Sequence, residues 1–240
     1  MSKIKKELCK YKHAWPLLYV FIYMPWFILL EKYIPADFPG LHVRHCALDD
    51  IIPFCEWFVI PYLLWFLYIP AIFVFLFYHS KNEFYRLCAY EFTGMTIALL
   101  VCTFYPNGLE LRLSHIGREN ILINLVHFLY NNDTPTNVCP SLHVFVTVVA
   151  HICLVKSPHM QGLNTRKRIK SISLVLAILI CLSTMFLKQH SVIDVVSGIV
   201  LAVVLYFVVF KWWFKNTSFP APIVKDPKKH QVLYFLNKKK

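Results

Sequence analysis

The chain has 240 residues, of which 58% are hydrophobic, and it carries a formal charge of +12. That much apolar surface excludes a water-soluble domain of this length. The basic residues lie in short stretches between apolar runs, a placement that excludes nucleic acid as the partner.

In chain order, a basic tail over 1–13 holds Lys3, Lys5, Lys6, Lys10 and Lys12. The first apolar run covers 14–30. No small-residue cleavage site follows it, so it is expected to remain as a span. The second run, 57–78, is the clearest, and Pro61 and Pro70 are predicted to kink it. A third run covers 92–109. Between 118 and 133 a weaker pattern sets Ile121, Leu125, Phe128 and Leu129 on one face and Asn120, Asn124, His127 and Asn131 on the other. That polar face is expected to meet solvent; the competing reading turns its amides toward a site. Apolar runs at 140–155, 171–187 and 195–210 follow, and a second basic tail occupies 215–240.

Most of these runs match the roughly 17–25 residues that cross a bilayer. A sheet would leave unpaired edges in lipid, so the spans are helices. The prediction is therefore an all-α, polytopic bundle of six transmembrane helices forming a single domain over 1–240. Of the 25 basic residues, only Lys32, Arg44, Arg112, Arg118 and Lys188 fall in the second set of alternate loops. The positive-inside rule then makes both termini cytoplasmic. The tails would lie against anionic inner-leaflet lipids. The outer loops carry most of the acids, among them Asp49, Asp50 and Glu56, which either are solvated or contact a cationic or hydroxyl-rich group. Eight cysteines show no CxxC-type metal spacing, and Cys46, Cys55 and Cys139 map to the outer side, where a disulfide is open to them.

Two polar clusters open the fourth and sixth spans on that outer side: Cys139-Pro140-Ser141-Leu142-His143 and Lys188-Gln189-His190-Ser191-Val192-Ile193-Asp194. Ionisable groups at such places are costly to keep and point to function. His190 and Asp194 are four apart, which on a helix puts them on one face. Asp194 would then orient the ring of His190 as a nucleophile. Pro140 suits a first helical position, leaving the N–H groups of residues 141–143 and the Ser141 hydroxyl as a phosphate cradle. His143 would pass a proton to the leaving alkoxide. No third ligand has helical spacing to His190 and Asp194, which disfavours a metal.

These residues resemble the type 2 phosphatidic acid phosphatase (PAP2) superfamily, with its motifs KxxxxxxRP, PSGH and SRxxxxxHxxxD. Pro140-Ser141-Leu142-His143 is similar to the second, with Leu for Gly. Ser183, His190 and Asp194 match the third, and Arg112 matches the arginine of the first. The resemblance implies His190 as nucleophile, Asp194 as its orienter, His143 as general acid, and Arg112 and Ser141 as phosphate ligands. It implies no metal ion and no cofactor. Tyr105 stands at the first-motif lysine, Leu113 at the following proline and Thr184 at the third-motif arginine, so two cationic clamps are missing. Lys188 is expected to restore one charge. The substrate so implied is a lipid phosphate or diphosphate at the outer leaflet. Hydrolysis and transfer to an acceptor, as in the inositol phosphorylceramide synthase branch, both fit. A transporter using His143, His151, His190 and Asp194 and a non-catalytic lipid-binding relative are the other readings.

Overall fold

The apolar runs fold as helices, and their ends follow from local capping. The computed structural model describes residues 11–160 and 164–214. The tails at 1–10 and 215–240 lie outside the described residues. A 3₁₀ stretch, Lys12–Tyr19, leads into α1, Val20–Tyr33. The outer loop that follows contains a short helix α2, Ala47–Ile51. Then come α3, Val59–His79, and α4, Lys81–Phe104. The amphipathic segment is α5, Ile121–Asn132, followed by α6, Leu142–Lys156, α7, Asn164–Phe186, and α8, Val192–Tyr206. A π-helical turn, Phe207–Trp213, extends α8. Strands β1, His42–Val43, and β2, Asn107–Gly108, make a minimal parallel pair.

Five helical segments among the described residues are long and apolar enough to cross a membrane, and α6 is a shorter apolar helix. The architecture is the all-α polytopic bundle predicted, with the third span shifted from 92–109 to 81–104. The third span starts at Lys81, not near 92, because Ser80 caps it by accepting from the Glu83 N–H at 3.4 Å. The charges of Lys81, Glu83, Arg86 and Glu91 break the apolar pattern without breaking the helix.

Helix α6 is the centre of the bundle. It packs against α3, α4, α7 and α8, and buried residues such as Phe145, Thr147, Val149 and Cys153 cover most of its circumference. The large exposed apolar side chains sit on the outer helices, for example Phe21, Leu67, Val175 and Val200. This is the pattern of helices that face lipid rather than water. Polar pairs tie the bundle inside: Tyr68 Oη and His151 Nδ1 each lie 2.8 Å from Ser173 Oγ, linking α3, α6 and α7. That gives His151 a packing partner well apart from the two polar clusters. At 15 residues, α6 is about 22 Å long, short of the roughly 30 Å of a hydrocarbon core. If its basic end, Lys156, reaches one surface, its N-terminus stops below the other.

The face assignment of α5 shifts with tertiary contact. Ile123, Val126 and Leu129 are buried, while Ile121 and Phe128 are exposed. Asn120, Asn124, His127 and Asn131 are exposed, as the solvated reading expects. Asn120 also caps the helix by accepting from Ile123 N–H at 2.9 Å. Cys46, Cys55 and Cys139 are free thiols.

Candidate active site

Two helix N-termini stand side by side. Ser141 caps α6, its hydroxyl accepting from Val144 N–H at 3.4 Å. Ser191 caps α8 in a reciprocal box: its hydroxyl accepts from Ile193 N–H at 3.2 Å, and Asp194 Oδ2 accepts from Ser191 N–H at 2.9 Å. The Ser141 N–H donates to the Asp194 carbonyl at 3.0 Å, joining the two caps directly. Gly198, one turn beyond Asp194, permits this approach. A Cβ there would lie 2.7 Å from the Ser141 carbonyl oxygen.

The joined caps bring the two histidines together. The rings of His143 and His190 have centroids 5.7 Å apart and are inclined by 60°. His143, the second residue of α6, packs against Tyr62 at 4.9 Å and Trp65 at 4.7 Å on α3. His190 Nδ1 lies 3.7 Å from Asp194 Oδ2, an ion-pair distance but longer than a hydrogen bond. His190 is also not in the helix: the cap is Ser191, and the His190 N–H donates to the Thr184 carbonyl at 3.0 Å. The chain reverses at Lys188, which has a φ of 54°. Pro140 likewise precedes the cap rather than opening the helix.

Both histidines and Gln189 line a cavity of about 600 Å³. Tyr23, Met24 and Phe27 of α1 and Trp65 and Phe66 of α3 supply an apolar wall. Asn132, Asp133, Thr134 and Asn137 supply a polar rim. Glu31 closes one side, accepting from the Thr134 hydroxyl and from Asn137 Nδ2. Burial raises the pKa of Asp133, against the opposing charge of Arg112.

The expected phosphate ligands are placed differently. None of Arg112, Ser141, Tyr105 and Lys188 is among the cavity-lining residues. Arg112 spends its guanidinium on the last turn of α5 and the loop after it, with Nη1 donating to the carbonyls of Tyr130 at 3.2 Å and Asp133 at 2.5 Å. Its Nη2 donates to the Thr134 carbonyl at 3.1 Å and to Gln189 Oε1 at 2.5 Å. Burial lowers its pKa, and nearby Asp133 opposes that shift. The Ser141 hydroxyl is fully buried in its capping role, and the Ser141 N–H is taken by Asp194, which leaves Leu142 and His143 N–H as the open donors of that helix end. Tyr105 stacks on His42 at 3.9 Å with the Arg44 guanidinium 4.7 Å above its ring, because the β1–β2 pair draws it to the opposite loop. Lys188 Nζ donates to the carbonyls of Asp49 at 2.7 Å and Ile52 at 2.6 Å, so its left-handed turn carries the ammonium to the α2 loop.

Asp49 fills the position expected for a bound anion. Its Oδ1 accepts from Val192 N–H at 2.8 Å, and its Oδ2 from the Ser191 hydroxyl at 2.6 Å and Cys46 N–H at 2.8 Å. The Val192 N–H at the start of α8 is thus met by a carboxylate of the protein itself. Burial pushes the pKa of Asp49 up, but the bonds from Ser191, Val192 and Cys46 together hold it below the ordinary value. A depressed folded-state pKa stabilises the fold above the unfolded value, about 4, and that contribution fades as pH falls through the folded value. Asp49→Asn is therefore expected to cost about 1–3 kcal/mol at neutral pH and progressively less below pH 4, read by thermal unfolding across pH.

Asp49 and Gln189 carry no motif in the sequence: the first reads as one acid in an outer loop, the second as a neighbour of His190. Among the described residues no three His, Cys, Asp or Glu side chains converge to hold a metal ion. No curated protein and no solved structure matches the chain. Residues 117–218, which contain His143, His190, Asp194 and the helices that present them, match the family model of the PAP2 superfamily, a superfamily of phosphatases and related phosphotransferases.

Proposed function

We propose that the protein is an integral membrane phosphatase acting on a lipid phosphate or diphosphate through a phosphohistidine at the outer face. The observation that carries this reading is the pairing of His143 and His190, 5.7 Å apart on one cavity, with Asp194 behind His190. Asp194 faces Nδ1 and favours the tautomer that carries its proton there. The Nε2 lone pair of His190 then attacks phosphorus, and the P–O bond to the leaving group breaks. The negative charge of a bound phosphate beside His143 favours its protonated form, in which it donates its proton to the departing oxygen, then as a neutral base takes one from the water that attacks phosphohistidine. Inorganic phosphate leaves, and both rings return to their starting state. The open N–H groups of Leu142 and His143 favour charge on the equatorial oxygens.

A lipid substrate is supported by the apolar wall from α1 and α3, two spans that also carry the exposed Phe21 and Leu67. The shortness of α6 supports a site recessed into the bilayer. The placement of basic residues supports cytoplasmic termini and an outward-facing site. Transfer to an alcohol is the second reading. The polar rim of Asn132, Thr134 and Asn137 favours it, because these groups match an acceptor rich in hydroxyls.

The test uses the full chain in lipid nanodiscs with labelled lipid phosphates in excess chelator, with and without polyol acceptors. Free labelled phosphate is expected. Label that moves only into a new ester selects the transferase reading. No release and no transfer from any lipid phosphate or diphosphate rejects both.

A further inference from the structure

We propose that Gln189 is a phosphoryl-oxygen ligand of this site and that Arg112 is a positioning residue acting through it; the proposal rests on the phosphoryl-transfer reading above. Gln189 is only 2% exposed, yet it lines the cavity beside His143 and His190. Arg112 Nη2 donates to its Oε1 at 2.5 Å. A guanidinium has donors only, so the amide oxygen must face it. The orientation of the amide is therefore settled by chemistry, and Nε2 is left with no partner among the described residues. A buried amide N–H without an acceptor loses its hydration and gains nothing in return. A phosphoryl oxygen attached to His190, the adjacent residue, would satisfy it.

The same contact explains how a cavity lined by no lysine or arginine among the described residues holds an anion. Arg112 is fixed by the carbonyls of Tyr130, Asp133 and Thr134, so it has little freedom to reach substrate itself. Its charge instead polarises the Gln189 amide, whose N–H becomes a stronger donor. The cationic residue of the first motif is retained at one remove, with a neutral amide making the contact.

The probe is orthovanadate, which mimics the pentacoordinate phosphoryl group, titrated calorimetrically into the full chain in nanodiscs. Gln189→Met removes the donor at similar volume without adding charge. Gln189→Glu keeps an acceptor for Arg112 but offers no N–H. Both are expected to raise the vanadate Kd at least tenfold, with Tm within a few degrees of the wild type. Arg112→Ala is expected to weaken vanadate binding in the wild-type background but to add little to Gln189→Met, since its effect passes through the amide. Unchanged vanadate affinity in both Gln189 variants overturns the ligand assignment while leaving the phosphoryl-transfer reading intact. Equal effects of Arg112→Ala in both backgrounds overturn the positioning role. A wild-type chain that neither binds vanadate nor turns over a lipid phosphate rejects the functional reading itself, and the proposal with it.

Discussion

His190→Asn is expected to lower turnover of a lipid phosphate by at least about 10⁴-fold, the scale seen when a covalent nucleophile is removed. The substitution keeps a planar polar side chain next to Gln189 and changes little of the packing. What it removes is the ring nitrogen that Asp194 leaves free to attack. His143→Asn separates the two histidines by role. Loss of a general acid or base costs about 10²–10⁴-fold with an alkoxide leaving group. With a nitrophenyl phosphate, whose leaving group needs no proton, phosphorylation of His190 proceeds and water attack then becomes limiting. Labelled phosphoenzyme, stable in base and labile in acid, should therefore accumulate in His143→Asn and be missing in His190→Asn. Full activity in the His190 variant, or label on residue 143, would reverse the assignment.

Gly198→Ala is the second large effect, and it comes from packing. The added Cβ would stand 2.7 Å from the Ser141 carbonyl oxygen and 3.4 Å from Val144 Cβ. The obstacle is backbone at the start of α6, which cannot rotate away. Helix α8 must therefore retreat, and the Ser141 N–H bond to the Asp194 carbonyl lengthens with it. Overpacking of this kind costs about 1–3 kcal/mol. The kinetic effect is larger than the stability loss suggests, because the same contact sets the spacing of His143 and His190. A displacement of about 1 Å between reacting groups costs about 10²-fold. Gly117→Ala is the control: nothing lies within 4 Å of its built Cβ, so it should change stability by less than about 0.5 kcal/mol. Unfolding temperature and kcat measured on both variants check this. A Gly198→Ala enzyme with wild-type kcat would show that the spacing of the caps does not govern the chemistry.

The membrane bundle was legible in the sequence because lipid exposure demands apolar side chains on every outer face, and long runs such as Val59–His79 record that demand directly. The two histidine clusters were legible for the opposite reason: polar groups beside apolar runs need a purpose. Boundaries were less so. Glu91 sits inside α4, buried at 1% exposure, where a pattern of hydropathy alone would not place a carboxylate.

What the sequence by itself determined is which chain segments are apolar enough to cross a membrane and which ionisable residues, His143, His190 and Asp194, stand at the ends of two of them. Only the tertiary structure decided how the cations are used. Arg112 read as a phosphate clamp from motif alignment and Lys188 as a replacement for a missing one, yet both bond to carbonyl oxygens of distant segments. A buried cation takes the acceptors within its reach, and those come from segments far away in the chain. The same holds for Asp49, whose partners at Ser191 and Val192 lie more than 140 residues further on. Local pattern specifies what a residue can do, while long-range contact selects which of its options is satisfied.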